Sequence, residues 1–502
     1  MGTIRLVAKR SRLKPYPATI SSGQEHVRAL SGCRINACVS ALLCVGALPM
    51  GIAKAQPAEA CVQPAPAPPF KQLRYDEDYA YLRDNACRAA PLDGIKLIPL
   101  GADGARSLTL GGEVRQRYEY YDNSLWGLGP QDNDGYFLQR LMIHADVHFG
   151  DSLRLFTQLK SGLESGRTGG PRPTDKDRLD LGQAFFDFRP AGSPVTLRIG
   201  RQEMSYGSSR LVSFREGPNV RLAFDGVKAM VELPRWQVDM FATRPVQTKP
   251  DTFDDRGDPK TDFWGVYAVT PVAWLPSGHA DIYYLGLDRR DAHFDQGTAD
   301  ERRDTLGTRL WGKTERWDYN LELVYQFGTF GSGDIRAWTV ASDVGFTFTN
   351  ARFRPRLGLK ANVTSGDRDP KDSDLQTFNP LFPKGSYFGE PALIGPSNHV
   401  DVHPQLDLAL RDRLTLTIDW DWFWRQDKHD AIYGPAVNVL LSGAASDARY
   451  VGDQLELALE WDVNRHVTFT GDYARFYAGD FLKEASPGKD VGYFSAWVTF
   501  KF

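Results

Sequence analysis

Charged side chains recur at every second position along much of the chain. Over residues 108–120 one face carries Leu108, Leu110, Val114, Tyr118 and Tyr120, and the other carries Thr109, Glu113, Arg115, Arg117 and Glu119. Residues two apart on an extended strand share a face. A row of mixed charges on one face does no covalent chemistry by itself. It lines a wet path and attracts or repels ions. Carried along the chain, this phase puts Arg115, Arg117, Arg140, Arg154, Lys160, Arg198, Lys228, Arg309, Arg354, Arg356 and Lys360 on the inward face. Inward acids are Glu113, Asp146, Asp187, Asp343, Asp407, Asp419, Asp421, Glu456, Glu460 and Asp472. The bases concentrate early and the acids late. Two outcomes follow. Either long loops cover the acidic wall and leave a basic path, or the charges pair across strands and cancel.

Reactive groupings are absent from the sequence. There is no G-x-S-x-G, H-E-x-x-H or C-x-x-C. His144 and His148 face inward without a Ser paired to them by spacing. Asp367, Asp369, Asp372 and Asp374, and the acids around 132–134, read as solvated loop carboxylates. No catalytic residue, metal or cofactor is expected, and the protein is not expected to be an enzyme. A barrel enzyme or a surface-binding receptor is the alternative.

The elements that position the inward row are strands. Alternation begins near Leu108 and runs to Phe502, in 18 candidate strands starting near 107, 136, 152, 179, 195, 220, 236, 262, 279, 304, 317, 336, 352, 399, 414, 450, 466 and 491. Connections alternate in length. The long ones are 122–135, 165–178, 203–219, 245–261, 291–303, 365–398, 426–449 and 478–490, with 330–335 the one short member of that set; the short ones have five residues or fewer. An even strand number, a lipid-like face and alternating loop lengths describe an all-β transmembrane antiparallel barrel of the bacterial outer membrane, with both termini in the periplasm. Tyr118, Tyr120, Phe149, Trp236, Trp461, Phe469 and Phe500 supply interface girdles. The terminal Phe502 looks like an assembly signal, which makes barrel-assembly machinery an expected partner beside outer-membrane lipid.

Composition agrees. Hydrophobic residues make up 42% and charged residues 25%, and past the N-terminal region no apolar run is long enough for a spanning helix. A net charge of -3 gives no basic surplus for nucleic acid. Residues 1–55 read as an export signal: a basic region, the apolar run 35–48, then Ala53-Lys54-Ala55. Residues 56–106 read as a periplasmic segment with the Pro-rich linker 63–69, and 107–502 as the barrel. Of five Cys, only Cys61 and Cys87 survive removal of the signal, and in an oxidising compartment they are expected to pair.

Several stretches resemble the alginate export family of outer-membrane porins. They are 110–120 with Asp122-Asn123 and Trp126-Gly127, Leu138-Gln139-Arg140, 158–161, 169–173 and 181–186. The densest match is Leu197-Arg198-Ile199-Gly200-Arg201-Gln202-Glu203, followed by Ser205-Tyr206-Gly207, Arg210-Leu211-Val212 and 216–220, ending in Phe224-Asp225-Gly226-Val227. The resemblance implies an 18-stranded barrel that exports an acidic polysaccharide through a basic, loop-gated lumen, with Arg115, Arg140, Lys160 and Arg198 along the path. One feature departs from it: the short turns cannot plug the pore, and loop 365–398 is expected to lie outside. A broader porin, passing anionic saccharides or small acids, therefore fits better, with loops 165–178 and 203–219 forming the constriction.

Overall fold

A computed structural model describes residues 68–101, 105–132 and 134–502. The expected export signal, the Pro-rich linker 63–67 and Cys61 lie outside the described residues. The chain forms one closed antiparallel barrel of 18 strands. In order they are β1 Arg106–Asp122, β2 Tyr136–Phe149, β3 Leu153–Ser165, β4 Asp177–Phe188, β5 Val195–Gln202, β6 Phe224–Glu232, β7 Gln237–Gln247, β8 Thr261–Val272, β9 Gly278–Phe294, β10 Gly297–Lys313, β11 Trp317–Phe330, β12 Gly333–Thr347, β13 Arg356–Thr364, β14 His399–Arg411, β15 Leu414–Trp424, β16 Tyr450–Asp462, β17 Val467–Ala478 and β18 Val491–Lys501.

Each strand pairs with its sequence neighbours, and β18 closes on β1 from Glu113↔Lys501 to Asp122↔Gly492. Closure is obligatory in lipid, because an open edge would leave N–H and C=O groups without partners. The pleat fits the alternation. On β1, Thr109, Glu113, Arg115, Arg117 and Glu119 are buried inside, while Leu108, Leu110 and Val114 face out. Outward Phe149, Trp236, Trp461, Phe469 and Phe500 are all exposed, as an aromatic girdle requires. No helix among the described residues is long and apolar enough to cross a membrane.

Three expectations about connections are corrected. Residues 291–303 are not a long loop: β9 and β10 continue through them to a turn at Asp295-Gln296. The charge-rich sequence there hides a hairpin that stands beyond the lipid, where a strand needs no apolar outer face. Its inner side is apolar, with Ala292 and Phe294 packed among Phe330, Leu375 and Tyr433. The turn between β12 and β13 spans 348–355, longer than expected. Arg354 belongs to it, with a positive φ of 43°, and does not stand on the inward wall of a strand.

The third correction concerns what fills the lumen. Loop 365–398 does not lie outside. It folds inward and pairs with loop 203–223: Val212 and Phe382 form a parallel bridge, and Lys384 N donates to Ser209 O at 3.0 Å. Together they bury Met204, Leu211, Val212, Phe378 and Leu381 against Phe224, Phe263 and Tyr283 of the wall. The lumen beside β6–β12 is thus largely filled, apart from a small cavity reaching Asn320, Ser342 and Asp343, and loop 365–398 also packs Phe388, Leu393 and Ile394 near Phe423, Val451 and Phe476. A larger space remains along β1 and β16–β18.

The described part of the N-terminal segment also lies in the lumen, at the end of the short turns. Arg74 donates to Gly112 O and Phe502 O at 2.8 and 2.7 Å, and Tyr75 OH donates to Glu203 O at 2.8 Å. Tyr75 packs edge-on against Phe156 and Phe185, under the Arg198 guanidinium. No turn plugs the barrel from this end, but the N-terminal segment does. Cys87 is disulfide-bonded.

Candidate pore constriction

Two cavities follow the space along β1. One, of about 230 Å³, is lined by Arg172, Thr174, Arg215, Pro218, Ala392 and Asn438 among others. The other, of about 570 Å³, lies towards the N-terminal plug, between the inward loops and Thr468, Thr470, Trp497, Thr499 and Lys501 of the wall. Arg117, Gly217, Ser386 and Glu390 line both, so the lumen is pinched there. The pinch depends on close backbone approach. A Cβ on Gly385 would stand 2.9 Å from Pro218 Cδ, and one on Gly217 would stand 3.3 Å from Ser386 Oγ.

Loop 203–223 is held by the barrel's own bases. Arg115 donates to the carbonyls of Glu216, Gly217 and Pro218 at 3.0–3.1 Å. Arg140 bonds Glu113 at 2.6 Å and also meets Glu216, which in turn pairs with Arg221. Arg117 pairs with Glu119 at 2.7 Å and with Glu390 of loop 365–398 at 2.8 Å, which ties the second loop down. Arg210 reaches across to Glu322 and Asn362. These charge-assisted contacts fix the loops more firmly than neutral hydrogen bonds would.

The other expected lining residues are engaged in the same manner. Arg154 pairs with Asp146, Arg198 with Asp187, Lys160 with Asp177 and Asp255, Lys228 with Asp239, and Arg309 with Asp281. Arg356 is shared by Asp318, Asp343 and Asp407. Lys360 stands 3.9 Å from Asp419 and lines a small third cavity. Loop 203–223 covers the basic wall, and loop 365–398 also crosses the acidic one, where Glu390 N donates to Glu456 Oε1 at 3.1 Å and Gln454 Nε2 donates to Phe388 O at 2.8 Å. Pairing across strands and loops neutralises most of the bases. Of the bases expected along the path, Arg115 and Arg117 line the cavity of about 570 Å³, Lys360 the small one, and Arg154 a further cavity beside the short turn 150–152.

Two cations that strand phase does not reveal stand at the pinch. Arg215 and Lys384 form no ion pair among the described residues. Arg215 Nε makes a 3.3 Å bond to Pro383 O, and Lys384 Nζ lies 5.8 Å from the Tyr387 ring. Burial without an acidic partner pushes Arg215 down to about 10. Lys384 is exposed to the lumen, and desolvation by the surrounding protein, then the Lys360 and Arg210 charges, push it down to about 8. The sequence placed Arg215 in an expected constriction loop, 203–219, and Lys384 in loop 365–398, expected outside and not among the constriction loops.

A model of the family described as alginate export matches residues 106–493. No curated protein matches the chain. Among solved structures, OpdK of Pseudomonas aeruginosa, crystallised with vanillate, has a TM-score of 0.54 at 10% identity, covering 79% of this chain and 98% of that one. OccK8 (OprE) of Pseudomonas aeruginosa gives 0.53 at 10% over 79% and 98%, and OccAB4 of Acinetobacter baumannii gives 0.53 at 9% over 78% and 97%. Those likenesses establish the shared barrel fold. By sequence, fold and the match over most of its length, the chain belongs to the alginate export family and is a porin of the bacterial outer membrane.

Proposed function

We propose that the barrel is a passive channel for small organic anions and short acidic saccharides, selected at the pinch between loops 203–223 and 365–398. The observation that carries this reading is the pair of cations without carboxylate partners, Arg215 and Lys384, in a lumen whose other bases are mostly neutralised. Unpaired charge in a narrow, low-dielectric passage acts strongly on a passing ion. The cavities, of about 230 and 570 Å³, suit a small acid or a short saccharide. The vanillate in the OpdK structure is an organic anion in a barrel of similar fold. The reading includes removal of 1–55 on export, delivery by barrel-assembly machinery and pairing of Cys61 with Cys87.

Planar-bilayer recording in a salt gradient tests it. Wild type should favour anions, and Lys384→Glu with Arg215→Glu should reverse or abolish that preference while conductance persists. A reversal potential unmoved by the double substitution would sink the constriction as the selectivity element. Liposome swelling with galacturonate against galactose then reads the cargo class.

A further inference from the structure

We propose that Asp401, His403 and Asp421, on the inner faces of β14 and β15, bind a divalent transition-metal ion such as Zn²⁺. Asp401 and His403 are two residues apart, so they share the lumen face. The β14–β15 ladder runs Asp401↔Phe423 and Val402↔Trp422, then resumes at Gln405↔Asp419. In the gap, beside Pro404, the imidazole sits between two carboxylates of β15. Its Nδ1 stands 2.9 Å from Asp421 Oδ2, and its Nε2 faces Asp419. Ligand atoms of Asp401, His403 and Asp421 all lie within 4.8 Å of one another.

Charge balance and an imidazole together mark this place. Many buried acids of the barrel face a guanidinium, as in Glu113–Arg140, Asp187–Arg198 and Glu301–Arg303. The buried pairs Glu456–Asp472 and Asp367–Asp430 also lack a Lys or Arg partner among the described residues, but neither includes a histidine. Asp401 and Asp421, 0% and 1% exposed, pair with no Lys or Arg among the described residues. Apart from the imidazole, neither Asp421 oxygen has a hydrogen-bond donor. Two buried carboxylates without a cation are costly, and a bound divalent ion removes that cost.

The surroundings also match what a ligating set needs. Asp401 is oriented by Asn362 Nδ2 at 2.7 and 2.9 Å and by His399 Nε2 at 2.8 Å. Asp419 accepts from Nε2–H of His403, which leaves the Nδ1 lone pair for the ion; Lys360 stands behind it at 3.9 Å. Two ligands about 2.1 Å from one ion are about 3 Å apart at a right angle and about 3.4 Å apart at the tetrahedral angle, so the 2.9 Å Nδ1–Oδ2 separation suits a six-coordinate ion and needs a small opening for a tetrahedral one. One imidazole with two carboxylates favours a borderline ion over Ca²⁺, which takes six to eight oxygens. A cavity of about 70 Å³ lined by His403 and Asn362 gives access from the lumen. The second acidic cluster, Asp177, Asp180 and Asp255, already holds the Lys160 ammonium, 2.8 Å from Asp255 and 2.9 Å from Asp177.

The test uses untagged, metal-stripped full-length protein in detergent, titrated with ZnCl₂ by calorimetry. One ion per chain is expected, weakened about tenfold or more by His403→Ala or Asp421→Asn and unchanged by Asp177→Asn. No stoichiometric uptake by wild type, or equal affinity in both site variants, overturns the assignment in favour of an imidazolium held between Asp419 and Asp421. Should the site variants fail to give a heat-modifiable barrel, wild type decides alone. Loaded with one equivalent of Cu²⁺, it should show imidazole nitrogen coupling by spin-echo spectroscopy, and absence of that coupling overturns the proposal.

Discussion

Lys384 carries a charge that ordinary pH can remove. Though exposed to the lumen, it is pushed down to about 8 by desolvation from the surrounding protein and by Lys360 and Arg210. Below that pH the ammonium is charged and attracts anions; above it the amine is neutral and the attraction goes. Anion over cation permeability is therefore expected to fall between pH 7 and pH 9. In Lys384→Arg the profile should stay flat over that range, because a guanidinium keeps its proton. Reversal potentials in a KCl gradient at each pH decide it, and a flat wild-type profile would remove Lys384 from the selectivity element. The inward face of Arg115, Arg117, Arg140 and Lys160 was legible because a period of two fixes the face. Their strand partners Glu113 and Glu119 share that period, but Glu216, Asp255 and Glu390 were not legible, because they lie on loops that carry none. Arg354 shows the converse error: its alternation extends past the end of the strand into a turn.

At the scale of elements, the starts of β2, β5, β11, β14, β15, β16 and β18 were legible to the residue, since lipid enforces strict alternation there. Prediction failed where that constraint ends. Beyond the lipid, β9 and β10 continue through a charged stretch, and loop 365–398 turns inward. The loop's apolar residues Leu375, Phe378, Leu381, Phe388, Leu393 and Ile394, all buried, were the available signal: a solvated loop would not carry them. The N-terminal plug had a similar signal in Tyr75, Tyr79 and Leu82. Burying such side chains stabilises the plug by about 2 kcal/mol each, with Arg74 and Tyr75 adding hydrogen bonds to the wall. Deleting 68–97 should leave a folded barrel, whose ladder does not include these residues, and raise single-channel conductance roughly twofold, as expected when an 18-stranded lumen is cleared at one end. An unchanged conductance would mean that ions already bypass the plug.

For the whole molecule, closure is the step on which everything else depends. The inward loops are held by Arg115, Arg117 and Arg140, and the first two belong to β1, the strand that must find β18. The last residue takes part directly. Phe502 N donates to Gly112 O at 3.0 Å, and Gly112 N donates to Phe502 O at 2.9 Å. The same Phe502 oxygen accepts Arg74 Nη2, so the seam and the plug meet at one point. Removing Phe502 loses two ladder bonds, worth about 1 kcal/mol each in water and more where no water can replace them. It also removes one of the two bonds from Arg74 to the barrel, leaving that to Gly112 O. Deleting Phe502 is therefore expected to slow assembly, to leave unfolded chain in the periplasm for proteolysis, and to loosen the plug in the barrels that do close. Pulse-chase with heat-modifiability gels follows the first two effects, and proteolysis within the segment 68–97 follows the third. Wild-type rates of folding and wild-type plug protection in the truncated protein would show that the seam is fixed by the ladder from Glu113 to Asp122 alone.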